Sequence, residues 1–456
     1  MSVDYDLAII GATPAAAAAA IAAARTHARS IWLPEATPTP DPLLLLREGS
    51  RGLGDRQGSV TPGDWLLWTD TLQSALAAER SPSAVQAYGV DYLEGAVQFQ
   101  PDDSIVAGQR RVRSRAYLLA MDAEAERPAI EGIDHPQVWT MPVLWDKLRL
   151  ASRDWPQSIA VLGDGPQAIE LSQSLRRLGR SVLLVTGTHP LLPKEDEETA
   201  FLLQSYLEGG GIQIANRGAL TAIQPSLDAL LLEVGDCKYR AEALVIATET
   251  FRRLPATLAP LGLRQMQQGI AVNSALQTSN PRIYAIGSLL GGYQLPGIAL
   301  QEARLAVQNA LFERRSPMQY HQLPYAISSD PPLARVGLTE AQARQYDPQV
   351  RVLRENYKEC DRARFDRSPV GLCKVLVQKD GTVLGAHIVG AAAAELIHLF
   401  ALAMQQGIRL QALGQLGYVS LTFAEVVQRV TDRWWQQRHR RDRNEQWFYN
   451  RRQRTR

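Results

Sequence analysis

A chain of 456 residues is longer than one compact core organises, so roughly two to four domains are expected. Apolar residues make up 45% and charged residues 21%, which excludes a disordered polyelectrolyte. The three cysteines, Cys237, Cys360 and Cys373, form no CxxC or CxxxxC pair, which excludes a disulfide framework and a metal knuckle. The net charge of +2 is unevenly spread: from Thr431 onward nine arginines face Asp432, Asp442 and Glu445, leaving +6 there and −4 in the body. The opening MSVDYDLAII carries acids where a secretory signal would place Lys or Arg. The Ala-rich stretch 15–24 is weakly apolar and ends at Arg25, short of the roughly 20 strongly apolar residues a membrane span needs. A cytoplasmic, reduced protein is the expectation.

In chain order, residues 7–10 form a short apolar run between Asp6 and Gly11, as a buried parallel strand should. GATPA and an Ala-rich helix follow, then residues 30–33 as a second strand, a βαβ unit. Residues 37–59 read as a loop carrying a short helix, residues 65–78 as a helix, and 91–99 and 112–120 as strands. The pattern restarts at Ser158, with a strand at 159–162, the turn GDGPQA, a helix at 169–178 and a strand at 181–185. Residues 243–247 and 283–286 are further strands. Two βαβ openings about 150 residues apart imply a duplicated nucleotide-binding domain. After Pro317 the texture changes: 333–336, 350–354, 373–378 and 382–389 are strand-like and 391–406 is an apolar helix, a separate α+β domain.

A dinucleotide turn wants Gly for its tightness, Gly for approach of the pyrophosphate, and Gly or Ala for helix packing. In the first turn Gly11 keeps the first place, Thr13 takes the second and Ala16 the third. Thr13 puts a β-branched side chain where phosphate meets backbone; its hydroxyl is a candidate partner for the pyrophosphate, at a cost in space. Glu35 ends the next strand, where a ribose hydroxyl acceptor belongs. The bland alternative is an ordinary βαβ unit. The second turn is nearly whole: Gly163, Gly165 and Ala168 satisfy GxGxxA between an evident strand and helix. A helix start there stabilises a pyrophosphate through its amides and dipole. Its second strand ends in Thr186, Gly187, Thr188 and His189, with neither an acid for a ribose 2′-hydroxyl nor an Arg for a 2′-phosphate. NADPH and NADH stay open, with a lean to NADPH. His189, before Pro190, reads better as a surface turn residue.

Taken together, these residues resemble the FAD-dependent pyridine nucleotide–disulfide oxidoreductases, the group that includes dihydrolipoamide dehydrogenase, glutathione reductase and mercuric reductase. The resemblance runs from Tyr5 to about Thr431 and preserves the order of motifs. Its clearest pieces are Gly163–Asp164–Gly165–Pro166 followed by Glu170, the phrase YAIG ending at Gly287, ARVGLTE from Ala334, and LGAHIVG from Leu384 continuing to Ile397. The resemblance implies an α/β chain with two Rossmann-like FAD- and NAD(P)-binding domains and a C-terminal α+β dimerisation domain. The implied boundaries are 1–150 with 251–317 for FAD, 151–250 for NAD(P), 318–430 for dimerisation, and a basic aromatic tail at 431–456. It also implies that Glu35 binds the FAD ribose, that Gly11 and Pro14 flank the pyrophosphate turn, and that Glu170 stands near the junction of flavin and nicotinamide. Residues 295–301 would run near the flavin ring.

The departures fall at functional places. Where the family carries its redox-active CxxxxC, the best spacing match puts Pro42 and Arg47; Arg51 then stands where the family has a Lys near the flavin. The family's C-terminal HPTxxE reads Ser420–Leu421–Thr422–Phe423–Ala424–Glu425, so Glu425 survives without its His. The two ATG phrases read Ala120–Met121–Asp122 and Ala247–Thr248–Glu249, and the Asp after Gly287 is Ser288. A serine hydrogen-bonds a ribityl hydroxyl less strongly than an ionised Asp does. A dithiol relay is excluded by residue type, because only a thiolate opens a disulfide.

Two readings follow. In the first, the chain is an NAD(P)H-dependent flavoprotein that passes electrons from FAD directly to an unknown acceptor, with Glu170 and Glu425 as candidate catalytic groups. In the second, it is a scaffold or regulatory protein that keeps the fold with weak or lost FAD binding. No metal site is expected. A homodimer is. The tail interleaves Trp434, Trp435, Trp447, Phe448 and Tyr449 with arginines; it suits a membrane surface or an acidic protein partner, or else Trp434 and Trp435 pack on the body and the end is solvated. Nucleic acid is disfavoured, since no recognition fold accompanies the charge.

Overall fold

The structure is a computed structural model, and it describes residues 3–36, 42–54, 62–100, 102, 104–125, 127–150, 155–187, 190–248, 252–266, 269–292 and 295–439. The chain divides into two units, Met1–Leu191 with Leu207–Gln319, and Leu192–Tyr206 with Tyr320–Arg456.

The first unit contains two five-stranded parallel sheets. In one the order is Ile283–Ala285, Ser114–Leu119, Tyr5–Ile10, Ser30–Leu33 and Asp91–Tyr92. In the other it is Gln213–Ala215, Ser181–Val185, Ser158–Leu162, Ala243–Ile246 and Val138–Trp139. In both, the opening strand of the βαβ unit lies at the centre. Strands buried on both faces carry continuous apolar runs rather than an alternation, as LAII and IAVL do here. One face of the first sheet packs on the all-alanine face of the Pro14–Ala24 helix and on the Pro296–Phe312 helix, whose Ala303, Ala306 and Val307 are buried with it. Methyl side chains let those two helices and the sheet come close.

The other face of the first sheet is covered by a three-stranded antiparallel meander, Val97–Phe99, Ile105–Ala107 and Arg110–Val112. The second sheet repeats the arrangement with Leu220–Ser226, Ala229–Val234 and Cys237–Ala241. The sequence reading missed this second meander, although its strands of 7, 6 and 5 residues are as long as the parallel ones and Gly235–Asp236 marks one of its turns. In the first meander it ran two strands into their neighbours and missed Ile105–Ala107. Residues 91–99 are two strands in different sheets, and 112–120 breaks at Arg113. The loop expected at 37–59 contains a helix of 13 residues, Pro42–Gly54, which packs against the Pro166–Arg177 helix.

The second unit is built on an antiparallel sheet in the order Tyr325–Ile327, Leu333–Gly337, Val383–Val389, Leu372–Val377 and Arg351–Asn356. The helices Ala393–Gln405 and Glu425–His439 close its core. Trp434 is fully buried in that core, with Arg351 stacked 5.0 Å over its ring. It therefore belongs to the body and not to a surface partner. Trp447, Phe448 and Tyr449 lie outside the described residues. Among the described residues no helix is long and apolar enough to cross a membrane.

Candidate functional site

Ligands of open parallel sheets bind beyond the carboxyl ends of the strands. In the first sheet the central strand ends at Gly11, with φ +128°. A Cβ there would lie 2.2 Å from the carbonyl oxygen of Ala120, so only glycine lets the two strand ends close up. Thr13 caps the helix that follows. Its Oγ1 accepts from the Ala16 amide at 3.2 Å and donates to the Ala120 carbonyl at 2.7 Å. A hydroxyl has one proton and a phosphate oxygen can only accept, so a pyrophosphate would have to compete with the Ala120 carbonyl for the Thr13 proton. Pro14 has no amide to offer, and Ala16 is buried at the helix–sheet contact. Glu35 follows the second strand and is exposed.

Gly287 and Ser288 follow the strand Ile283–Ala285. The Gly287 amide donates to the buried Glu302 carboxylate at 2.7 Å. Ser288 Oγ accepts from the Ala123 amide at 2.9 Å and lies 3.3 Å from both Met121 O and Asp122 Oδ1. Ser288 thus ties two strand ends together, and a ribityl hydroxyl would have to compete for it. The Gly11 cradle and the acid beyond the second strand fit a dinucleotide such as FAD, with fewer side-chain donors than the unaltered motif supplies.

Among the described residues, the second crevice leaves its threonine hydroxyls unengaged. Gly163 has φ +154°, and a Cβ on it would meet Ala247 O at 2.5 Å and the Ala168 side chain at 2.9 Å. Gly165 is the N-cap of Pro166–Arg177 and brings no side chain to its amides. Thr186, 6% exposed, ends the strand on one side, and its Oγ1 has no hydrogen-bond partner among the described residues. The same holds for Thr248 Oγ1 beyond the strand on the other side. A buried unpaired hydroxyl costs about 1–3 kcal/mol. Two of them flanking a glycine turn fit the ribose and phosphate groups of a nicotinamide dinucleotide. Sequence reading named Thr186 but gave Thr248 no role, because only burial distinguishes it. Thr188, His189 and Glu249 lie outside the described residues.

The helix Pro42–Gly54 brings a guanidinium, not sulfur, to Glu170. Arg47 Nη1 is 2.8 Å from Glu170 Oε2, and Arg47 Nε is 2.7 Å from Glu48 Oε1. Arg51 reaches the same Glu48 oxygen at 3.3 Å. Burial lowers the Arg47 pKa, but Glu170 and Glu48 outweigh it and hold the guanidinium charged. The structure therefore gathers Arg47, Arg51 and Glu170 into one cluster.

Glu425 lies in the other unit and starts the helix Glu425–His439. It accepts from the Asp361 amide at 3.0 Å and from Arg429 at 2.6 Å, and Cys360 Sγ lies 3.5 Å away. Burial alone would raise its pKa, but Arg429, the Asp361 amide and Cys360 hold it below the usual carboxylate range. Burial pushes the Cys360 thiol up, and Cys373 more so. All three cysteines are free. Sequence reading also missed a buried cage in this unit, where Lys374 Nζ meets Asp196 at 2.7 Å, Glu340 at 2.7 Å and Glu198 at 3.0 Å. Nothing in a strand pattern marks one Lys as buried. Among the described residues no cluster of three His, Cys, Asp or Glu side chains could hold a metal ion.

Known proteins share this architecture. The family model described as pyridine nucleotide-disulphide oxidoreductase matches residues 5–310, and the model of that family's dimerisation domain matches 323–431. The mercuric reductase of Staphylococcus aureus is 28% identical over 450 residues, spanning 92% of this chain and 81% of that protein. The glutathione reductase of Burkholderia cepacia is 28% identical over 334 residues, covering 70% of this chain and 71% of that protein. Among solved structures, the HOCl-induced flavoprotein disulfide reductase RclA of Escherichia coli superposes with a TM-score of 0.79 at 20% identity, covering 94% of this chain and 99% of that one. The shared motifs, the repeated parallel sheets and the matched models lead to one conclusion: the chain belongs to the pyridine nucleotide-disulphide oxidoreductase family and has no close cysteine pair for a redox disulfide.

Proposed function

We propose that this protein is an NAD(P)H-dependent flavoprotein oxidoreductase that passes electrons from FAD directly to an acceptor, without an internal disulfide. The carrying observation is the pair of glycine cradles, at Gly11 and Gly163, each closed to any side chain at the carboxyl edge of a parallel sheet. FAD, when bound, supplies the two-electron redox centre. Gly11 and the helix behind it receive its pyrophosphate, and Glu35 accepts from its ribose. Gly163, Gly165 and the hydroxyls of Thr186 and Thr248 receive the nicotinamide nucleotide. Glu170, held by Arg47, orients the nicotinamide end. Freshly purified protein should show flavin absorbance that bleaches under anaerobic NADPH or NADH. Colourless protein that takes up no added FAD would sink this reading.

That second outcome is the signature of a scaffold that keeps the fold. It is favoured by one observation: the Thr13 and Ser288 hydroxyls are both engaged by the chain's own backbone. The matched dimerisation domain supports a homodimer, and Val419 and Leu421 in that domain are 71% and 52% exposed. Apolar side chains so open to water are suited to a partner's surface. The double substitution Val419→Asp with Leu421→Asp should convert a dimer to a monomer in light scattering, with unchanged circular dichroism. An unchanged mass would place the interface elsewhere.

A further inference from the structure

Trp32, on the strand Ser30–Leu33, is fully buried among the small side chains of the Pro14–Ala24 helix. Alanine methyls leave the room an indole needs, so the Ala-rich helix and this tryptophan fill one space together. Tyr92 meets the indole edge-on at 5.5 Å, and its own hydroxyl is tied to Glu94 at 2.8 Å. Held in this way, the indole Nε1–H donates to the carbonyl oxygen of Gly11 at 2.8 Å. That bond fixes a peptide plane. In a trans peptide the C=O and N–H point in opposite directions, and the Gly11–Ala12 peptide is trans. With the Gly11 carbonyl turned inward to Trp32, the Ala12 N–H points outward at the end of the strand. Ala12 is partly exposed, and its amide, like that of Thr13, has no hydrogen-bond partner among the described residues.

We propose that Trp32 is a positioning residue for FAD, whose indole N–H sets the Gly11–Ala12 peptide so that the Ala12 amide is offered to the pyrophosphate. The inference rests on the reading above that the first crevice takes FAD. Backbone donors matter here because the side chains supply few: Thr13 Oγ1 gives its proton to the Ala120 carbonyl, and Pro14 has no N–H. A donor already fixed in direction loses little freedom when the anion arrives. Without the indole N–H, the Gly11 carbonyl is a buried acceptor with no donor. The peptide plane then turns its oxygen toward water, and the Ala12 amide leaves its outward direction with it.

The test uses the full chain freed of flavin, with FAD uptake followed by quenching of flavin fluorescence. Trp32→Phe keeps an aromatic ring and removes the donor. It should weaken FAD binding by about tenfold, the loss that follows from one hydrogen bond to a charged group. Tyr92→Leu disturbs the packing of the indole but keeps its N–H, and should bind FAD nearly as wild type does. Circular dichroism checks that both variants are folded. If the phenyl ring does not support folding, benzothienylalanine at position 32 repeats the test, since it keeps the two-ring shape and lacks the N–H. At saturating FAD, 31P NMR then reads the bound pyrophosphate directly. In Trp32→Phe at least one phosphorus resonance should move toward its position in free FAD, and in Tyr92→Leu neither should. An unchanged FAD affinity in Trp32→Phe overturns the proposal. So does a weakened affinity with both resonances unmoved, or an equal loss in Tyr92→Leu, because either marks a packing role alone. If wild type itself takes up no FAD, the functional reading falls, and that outcome is distinct from FAD that binds regardless of Trp32.

Discussion

Replacing Lys374 with methionine is expected to destabilise the second unit by about 3–5 kcal/mol, the largest stability effect of any single substitution suggested by this fold. Lys374 is 2% exposed on the strand Leu372–Val377, which is paired on both sides, and holds Asp196, Glu340 and Glu198. Asp196 is itself 2% exposed, and its second oxygen accepts from the Glu340 amide at 3.2 Å. Without the ammonium the buried Asp196 carboxylate loses its cation, while Glu198 and Glu340, 39% and 20% exposed, keep Arg354 and Glu340 also keeps Arg344. Denaturant unfolding followed by near-ultraviolet circular dichroism measures the loss. A change below about 1 kcal/mol would mean that water or rearrangement replaces the lysine.

The same cage sets a pH dependence. Burial alone would raise the Asp196 carboxyl, but His387 and Lys374 outweigh it and hold it low. For Glu340 burial also acts upward, and Lys374 and Arg344 outweigh it. Both folded-state values lie below the unfolded ones, so the stabilisation is complete above the usual carboxylate range. It is lost as pH falls through the folded values. His387, pushed down to about 4 by burial, is neutral at pH 7. Glu195 is pushed the other way by burial, so its own contribution opposes folding as pH rises. Wild type should begin to lose stability below about pH 6.5, where His387 protonates in the unfolded chain but not in the fold, and lose it more steeply below about pH 4, where Lys374→Met should show a flatter limb.

The second large effect concerns the site. Gly163→Ala is expected to weaken NADPH or NADH binding by about tenfold or more, equivalent to about 1.4 kcal/mol. The added Cβ would sit 2.5 Å from the Ala247 carbonyl, on a backbone with φ +154°. The ends of the strands Ser158–Leu162 and Ala243–Ile246 would have to part, and with them the approach to Thr186 and Thr248. FAD binding at the separate Gly11 cradle should be retained, which distinguishes a local defect from general unfolding. An unaltered nicotinamide affinity in a folded variant would show that the nucleotide does not use this turn.

Much of the architecture was open to inspection in the residues themselves. Apolar runs that end on glycine, followed by an alanine-rich or capped helix, can hardly be anything but βαβ openings, since period and turn chemistry are local properties. The absence of a redox cysteine pair was likewise decided by residue identity, because Pro42 and Arg47 have no sulfur whatever the fold. The tertiary structure alone decided what the polar side chains at those places do. Thr13 and Ser288 looked like candidate ligand donors, but hydrogen bonds to residues more than a hundred positions away occupy them. Thr248, the kept threonine of a phrase whose glycine is replaced by Glu249, was given no role and emerged as a buried unpaired hydroxyl. Arg47 marked only a missing cysteine until Glu170, 123 residues further on, was seen to hold its guanidinium. Hydrogen bonds and ion pairs depend on chain-distant atoms meeting to within a few tenths of an ångström of the right separation, and no spacing along the sequence carries that information.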